Sequence, residues 1–154
     1  MDVHLWHQDD VEIVPMDRQH IPALAQLEET CFSQPWSYDS LRQELSNPLA
    51  VFRVALLGEE VVGYVGMYHI VDEGNITNIA VSPDHRRKGI GQALMKSLFQ
   101  YGKEQEMQAI YLEGRESNEG AIAFYEDLHF QVTGRRKGFY SFPKEDALLM
   151  THEF

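Results

Sequence analysis

Between Asn78 and Leu94 the chain reads NIAVSPDHRRKGIGQAL, and few architectures accommodate that order of residues. It begins as a short apolar strand, Ile79-Ala80-Val81, and turns through Ser82-Pro83-Asp84. Arg86, Arg87 and Lys88 then stand directly before Gly89-Ile90-Gly91, and Gln92 follows. Apolar residues at Ile90, Leu94, Leu98 and Tyr101 open a helical period at once. A strand, a basic glycine loop and a helix start in immediate succession make an anion site. The first-turn N–H groups lack partners and carry the positive end of the helix dipole, and glycine lets a phosphate come close to the backbone. Pyrophosphate suits such a loop, so a nucleotide-like cofactor is expected. Two better-known phosphate loops are excluded. A P-loop needs Gly-Lys-Ser/Thr, whereas Lys88 precedes the first glycine. A dinucleotide fingerprint needs GxGxxG, and Leu94 stands where its third glycine belongs. Taken alone, Gly89-x-Gly91 is also what a plain turn into a helix looks like.

The flanking periodicities place this unit in a mixed α/β (α+β) chain. Val11 to Met16 reads as a strand. Asp17 caps a helix to about Cys31, with Pro22 early and Ile21, Leu24 and Leu27 on one face. Ser37 caps a short helix with Leu41 and Leu45 four apart, ended by Asn47-Pro48. Val51 to Leu56 and Val61 to Ile70 are strands joined by Gly58-Glu59-Glu60, and Asn75 to Val81 completes a meander. A helix from Gly89 to Gly102 is followed by a strand, Ala109 to Glu113. Next comes a helix from Asn118 to Leu128, with Ala121, Phe124, Tyr125 and Leu128 on one face. Phe130 to Arg135 and Ala147 to Phe154 are the last strands, and Arg135-Arg136-Lys137 falls between them as a solvated turn.

A length of 154 residues suits a single domain over 1–154. The lone cysteine, Cys31, allows no internal disulfide and fits a reducing cytoplasm. No apolar run approaches the roughly 18 residues of a membrane span, so no membrane association is expected, and MDVHLWHQDD lacks the basic and apolar regions of a signal peptide. The net charge of −11 disfavours direct nucleic-acid binding. It favours a cationic partner, although an acidic surface also simply keeps a protein soluble.

Two further residues carry possible chemistry. Glu113 ends an apolar strand, where a carboxylate is costly unless paired or used for proton transfer; Arg115, two residues on, could pair with it. Tyr125 lies on the apolar face of its helix, where an ordinary core tyrosine is the commoner occupant, yet a phenol with a pKa near ~10 can donate a proton at neutral pH.

Ile79–Leu94 together with Leu112–Phe130 (LEGRESNEGAIAFYEDLHF) resembles the GNAT acetyltransferase superfamily, whose loop pattern Arg/Gln-x-x-Gly-x-Gly/Ala is met by Arg86, Gly89 and Gly91. Within it the chain is most similar to the bacterial family that acetylates the N-terminal alanine of a small-subunit ribosomal protein. That likeness is carried by CFSQPWS at Cys31–Ser37, Asn78–Val81, Ala121–Tyr125, Gly138-Phe139-Tyr140 and Glu145-Asp146-Ala147, and it spans about Glu12 to Thr151. The resemblance implies the GNAT fold, a mixed, mostly antiparallel twisted sheet of about seven strands flanked by four helices and splayed between the fourth and fifth strands. It implies acetyl-CoA as cosubstrate and no metal. Ile79, Ala80 and Val81 would hold the pantetheine and acetyl end, and Asn118 would contact the cofactor arm. The loop of Arg86, Arg87, Lys88, Gly89, Ile90, Gly91 and Gln92 would cradle the pyrophosphate. Glu113 would be the general base and Tyr125 the general acid, with Trp36 and Tyr140 as walls for the acceptor, a basic ribosomal protein N-terminus or, alternatively, a small amine or another protein's N-terminus.

Those roles agree with the chemistry. An N-terminal amine with a pKa near ~8 must lose a proton to attack a thioester, a carboxylate can accept it, and the leaving thiolate needs one back. No covalent enzyme intermediate is required, and Cys31, far along the chain from these residues, is assigned to the core. A cofactor sensor without turnover would not need Glu113 and Tyr125 together, and an enzyme acting on aminoacyl-tRNA would need a basic face. Two departures from the family pattern stand out. Gly114 replaces a branched apolar residue after Glu113, and His129 replaces glycine in Leu128-His129-Phe130, where a left-handed backbone would cost histidine something.

Overall fold

The structure, a computed structural model, describes residues 6–8 and 11–154. In chain order it contains β1 (Trp6–Gln8), β2 (Val11–Pro15), α1 (Ile21–Cys31), α2 (Tyr38–Glu44), β3 (Ala50–Leu57), β4 (Glu60–Ile70), β5 (Glu73–Val81), α3 (Ile90–Glu104), β6 (Ala109–Arg115), α4 (Glu119–Asp127), β7 (Gln131–Tyr140) and β8 (Glu145–Glu153). One sheet runs in the order β1-β2-β3-β4-β5-β6-β8-β7. Every neighbouring pair is antiparallel except β5 and β6, which are parallel.

Alternation along the strands supplies two faces. Ile13, Val51, Ala55, Val65 and Met67 pack with Ile90, Leu94 and Leu98 of α3 on one side. Val14, Phe52, Val54 and Tyr64 pack with Ile21, Leu24 and Leu27 of α1 and Leu41 of α2 on the other. Strand β4 lies in the middle, so Val62 to Met67 is buried without interruption, as a strand covered on both faces requires. Asp17 caps a 3-10 turn, Arg18–His20, that feeds α1. Its carboxylate accepts from Arg18 N, and Nδ1 of His20 accepts from Asp17 N at 3.0 Å.

The expected mixed sheet with four helices is present; among the described residues it has eight strands where about seven were expected, the addition being β1, a trio too short to show a period, and the expected fourth and fifth strands are the parallel pair β5 and β6. Two sequence expectations are corrected. Strand β5 begins at Glu73, because Val71-Asp72 closes a two-residue turn with Val71 at φ 58° and no glycine to announce it. Arg135-Arg136-Lys137 is not a turn but the middle of β7, with the connection to β8 displaced to Ser141–Lys144. Strand β7 is a sheet edge, where charged side chains facing water are the ordinary defence against stray pairing.

Candidate active site

The parallel register between β5 and β6 runs through Glu73↔Ala109, Gly74↔Ile110 and Asn75↔Tyr111 and then stops. Beyond it β5 continues to Val81 along β4, and β6 continues to Arg115 along β8. The sheet therefore opens like a V whose arms carry Ile79-Ala80-Val81 and Leu112-Glu113. One edge of β5 beyond Asn75 has no strand beside it, which leaves backbone groups facing the opening.

At the end of the β5 arm the chain makes a 3-10 turn, Pro83–His85, and enters α3. Arg87 and Gly89 both have positive φ, 65° and 79°, with Lys88 between them, and Gly89 is the N-cap of α3. Such alternation is how backbone N–H groups are gathered into an anion-binding nest, and glycine takes the cap conformation without Cβ strain. Arg87, Lys88 and Gln92 are exposed. The Arg86 side chain turns back on the strand, with Nε donating to Val81 O at 3.2 Å and Nη2 3.7 Å from Cys31 Sγ. Its guanidinium thus braces the end of β5. Ile90 is buried in the core. A Cβ at Gly91 would sit 3.1 Å from the Phe124 ring, so the start of α3 is seated directly against α4. Asn118 is the N-cap of α4, its Oδ1 accepting from Ala121 N at 3.1 Å, which leaves the amide NH2 to face outward interactions.

On the β6 arm the expected Glu113–Arg115 pair does not form. Arg115 Nη1 lies 3.0 Å from Glu145 Oε1 and also donates to Pro143 O, while Nη2 donates to Ser141 O. Its guanidinium stands 4.4 Å from the Tyr140 ring centroid. Glu113 instead meets Arg136 of β7, Oε1 to Nη2, at 3.3 Å. Tyr140 is half-buried and lies within electrostatic reach of Glu113, Arg115 and Glu145 on one side and of Tyr125 on the other. Burial raises its pKa, Glu113 adds to the rise and Arg115 opposes it. The Tyr125 ring packs edge-on against Phe124 and Phe130, with centroids 5.3 and 5.7 Å away. Its phenol is pushed up to about 12, chiefly by burial and then by Tyr140. Hydrogen bonds from Ser117 and Arg115 hold Glu145 below the usual carboxylate range. Gly114 leaves open space, since a Cβ there meets nothing within 4 Å, and His129 does adopt a positive φ of 67°.

A buried polar cluster that sequence reasoning missed lies on the α1 side. Glu28 is 1% exposed. Its Oε1 accepts from Trp36 N at 2.8 Å, and its Oε2 accepts from Tyr64 OH at 2.7 Å and Asn78 Nδ2 at 3.2 Å. Asn78 and Tyr64 are themselves hydrogen-bonded. One carboxylate thereby ties α1, the loop bearing Trp36 and the residue before Ile79. Trp36 packs against Phe52, centroids 6.1 Å apart, and borders a cleft shared with Pro35, Ser37 and Ser40. The signal was present: Glu28 falls four residues after Leu24 and seven after Ile21, a charged residue on an apolar face. Cys31, distant in sequence, comes to 3.7 Å from Val81 O, half-buried beside the opening.

The sequence pattern of the Acetyltransferase (GNAT) family matches residues 21–130. The chain belongs to the GNAT acetyltransferase family. As a GNAT acetyltransferase it is 35% identical over 136 residues to a Bacillus subtilis protein provisionally named a ribosomal protein bS18-alanine N-acetyltransferase, with 88% of this chain and 90% of the relative covered. Its structure resembles that of the Escherichia coli ribosomal-protein-S18-alanine N-acetyltransferase, with a TM-score of 0.86, 27% identity and 93% of each chain covered. It shares its fold with a GNAT acetyltransferase from Elizabethkingia anophelis solved with acetyl-CoA bound, with a TM-score of 0.77, 22% identity and 96% and 100% of the two chains covered. GNAT acetyltransferases take acetyl-CoA as cosubstrate. Among the described residues no helix is long and apolar enough to cross a membrane.

Proposed function

We propose that this GNAT acetyltransferase acetylates the N-terminal α-amine of a protein, the N-terminal alanine of a small-subunit ribosomal protein in the bacterial cytoplasm, by direct attack in a ternary complex. The observation that carries the proposal is the open V between β5 and β6, with a nest at one end and Glu113 on the opposite arm. The Bacillus subtilis and Escherichia coli relatives support the choice of acceptor.

The residues present fit acetyl-CoA. The edge of β5 at Ile79–Val81, which no strand among the described residues covers on the β6 side, offers backbone groups to an amide-bearing arm, and the positive φ values at Arg87 and Gly89 gather N–H groups for a pyrophosphate. Bound acetyl-CoA supplies an activated acetyl thioester. Arg87 to Gln92 anchor the far end of the ligand through their N–H groups, and Arg87 and Lys88 add positive charge. Ile79–Val81 and Asn118 orient the arm. Glu113 takes a proton from the acceptor's ammonium, freeing the nitrogen lone pair for attack. Tyr125 gives its phenolic hydrogen to the sulfur as charge gathers there. Trp36 and Tyr140 wall the path of the acceptor. Cys31 has no covalent role.

The test is acetyl transfer from radiolabelled acetyl-CoA to a synthetic peptide bearing the ribosomal N-terminal alanine. Label is expected on the α-amine, and Glu113→Gln should lower kcat/KM at pH 7 by about 100-fold or more and move the profile toward higher pH. Faster labelling of lysine, a polyamine or the N-terminally blocked peptide overturns the acceptor assignment.

A further inference from the structure

Three arginines crowd the β6–β8–β7 end of the sheet, and two of them are fully engaged. Arg115 holds Glu145 and the carbonyls of Ser141 and Pro143. Arg135 pairs with Glu116 at 2.7 Å and Asp146 at 3.2 Å. Arg136 has a different partner. Its Nη2 lies 3.3 Å from Glu113 Oε1, and its guanidinium stands 5.6 Å from the Phe139 ring centroid. The register explains how it reaches. Ala147 of β8 pairs with Arg115 on one side and Arg136 on the other, while Glu113 pairs with Leu149 two residues along. All five side chains share one face, and the small Ala147 stands between Arg115 and Arg136.

We propose that Arg136 is a positioning residue that competes with the acceptor's ammonium for the Glu113 carboxylate, holding Glu113 ionised in the free enzyme and yielding its place when the cationic acceptor binds. This rests on Glu113 being the general base. Glu113 faces Arg136 and Tyr140 from β7; Tyr140 in turn lies within reach of Arg115 on the strand of Glu113, of Glu145 from β8 and of Tyr125 from α4. Arg115 and Glu145 neutralise each other. Both phenols are raised and carry no charge at pH 7. Glu113 and Arg136 therefore form the remaining pair, and an arriving ammonium meets a carboxylate that is already matched. Arg136 keeps Glu113 ionised while it is in place, so the ammonium must displace the guanidinium before the carboxylate can take its proton. The guanidinium keeps its own proton throughout, so the proton that leaves the nitrogen has one destination, the carboxylate, and passes from there to solvent. Arg136 can yield its place because its side chain is 57% exposed and is held by a single ionic contact.

Steady-state kinetics with an N-terminal alanine peptide at saturating acetyl-CoA test this, comparing the parent with Arg136→Gln, Arg136→Lys, Lys137→Gln and Glu113→Gln. Removing an exposed competitor of this kind should lower acceptor KM by about threefold at pH 7 without lowering kcat. KM for acetyl-CoA and the unfolding midpoint should stay at parental values. The difference should close by about pH 9, where an amine of pKa near ~8 is mostly free. Arg136→Lys should restore the acceptor KM, and Lys137→Gln, which removes one charge from the same strand, should behave as the parent. An unchanged or raised acceptor KM in Arg136→Gln overturns the proposal, as does an equal effect in Lys137→Gln. Parental turnover in Glu113→Gln removes the general base and this proposal with it. Loss of turnover in Glu113→Gln beside a parental Arg136→Gln defeats the role of Arg136 alone.

Discussion

At the scale of single residues, Tyr125 shows how environment shapes a role. A phenol pushed up to about 12 holds its proton across the working range of any such enzyme. A thiol titrates near ~8.5, so complete transfer from Tyr125 to a free thiolate runs uphill by about 3.5 pK units, or about 5 kcal/mol. A hydrogen bond to a charged partner is worth about 1.5–3 kcal/mol without that cost. In the proposed mechanism the phenol therefore acts as a donor that stabilises charge on sulfur before the proton moves. Tyr125→Phe should lower kcat by roughly 10- to 100-fold, the span those 1.5–3 kcal/mol convert to. Acetyl-CoA affinity, measured by calorimetric titration, should hardly change, because the ring contacts with Phe124 and Phe130 survive. Parental kcat would remove Tyr125 from the chemistry.

At the scale of elements, most of the scaffold was legible because its signals are local. The period of α3, the Asp17 and Ser37 caps and the Gly58-Glu59-Glu60 hairpin signal between β3 and β4 each depend on a few neighbouring residues. What escaped reading depends on partners distant in sequence. Glu113 has a cation two residues away, yet it pairs with one in another strand, because Arg115 is drawn to Glu145 across the register. Arg135–Lys137 looked like a turn because charge without alternation reads the same on an edge strand as in a loop. The β4–β5 turn carried no glycine or asparagine. Val71 occupies it at φ 58° with 90% of its surface exposed, a β-branched residue in a region that costs such residues about 1 kcal/mol or more. Its carbonyl is fixed by His69. A carbonyl only accepts, so His69 Nε2 carries the proton toward Val71 O at 2.9 Å, and Nδ1 accepts from Tyr101 OH at 2.7 Å. Val71→Asn keeps that carbonyl and suits the left-handed region. It should stabilise the fold by about 1 kcal/mol and raise the unfolding midpoint by about 2–4 °C, with acetyl transfer unaltered. A lower midpoint would mean that the valine side chain contributes contacts its exposure does not suggest.

At the scale of the whole molecule the charge is divided by task. The chain carries −11 overall, yet its two basic triplets, Arg86–Lys88 and Arg135–Lys137, stand at the two ends of the proposed ligand path. The first is left for an anionic cosubstrate. In the second, Arg135 and Arg136 are matched by Glu116, Asp146 and Glu113, so they add little net positive field. The proposed cationic acceptor would therefore approach a surface that attracts it, while the anionic cosubstrate is drawn to one local patch. An acidic surface accelerates encounter with a basic partner, and salt removes that advantage once the Debye length falls to a few ångströms. With acetyl-CoA held saturating, kcat/KM for a peptide that has several arginines after its N-terminal alanine should fall roughly tenfold between 50 mM and 500 mM KCl. A peptide with the same first residue and a neutral remainder should change by less than about twofold, because it lacks the long-range term. The difference between the two slopes isolates steering from any general effect of salt on folding or turnover. Equal slopes would show that the acidic surface serves solubility alone and that acceptor choice is made entirely by contacts inside the V.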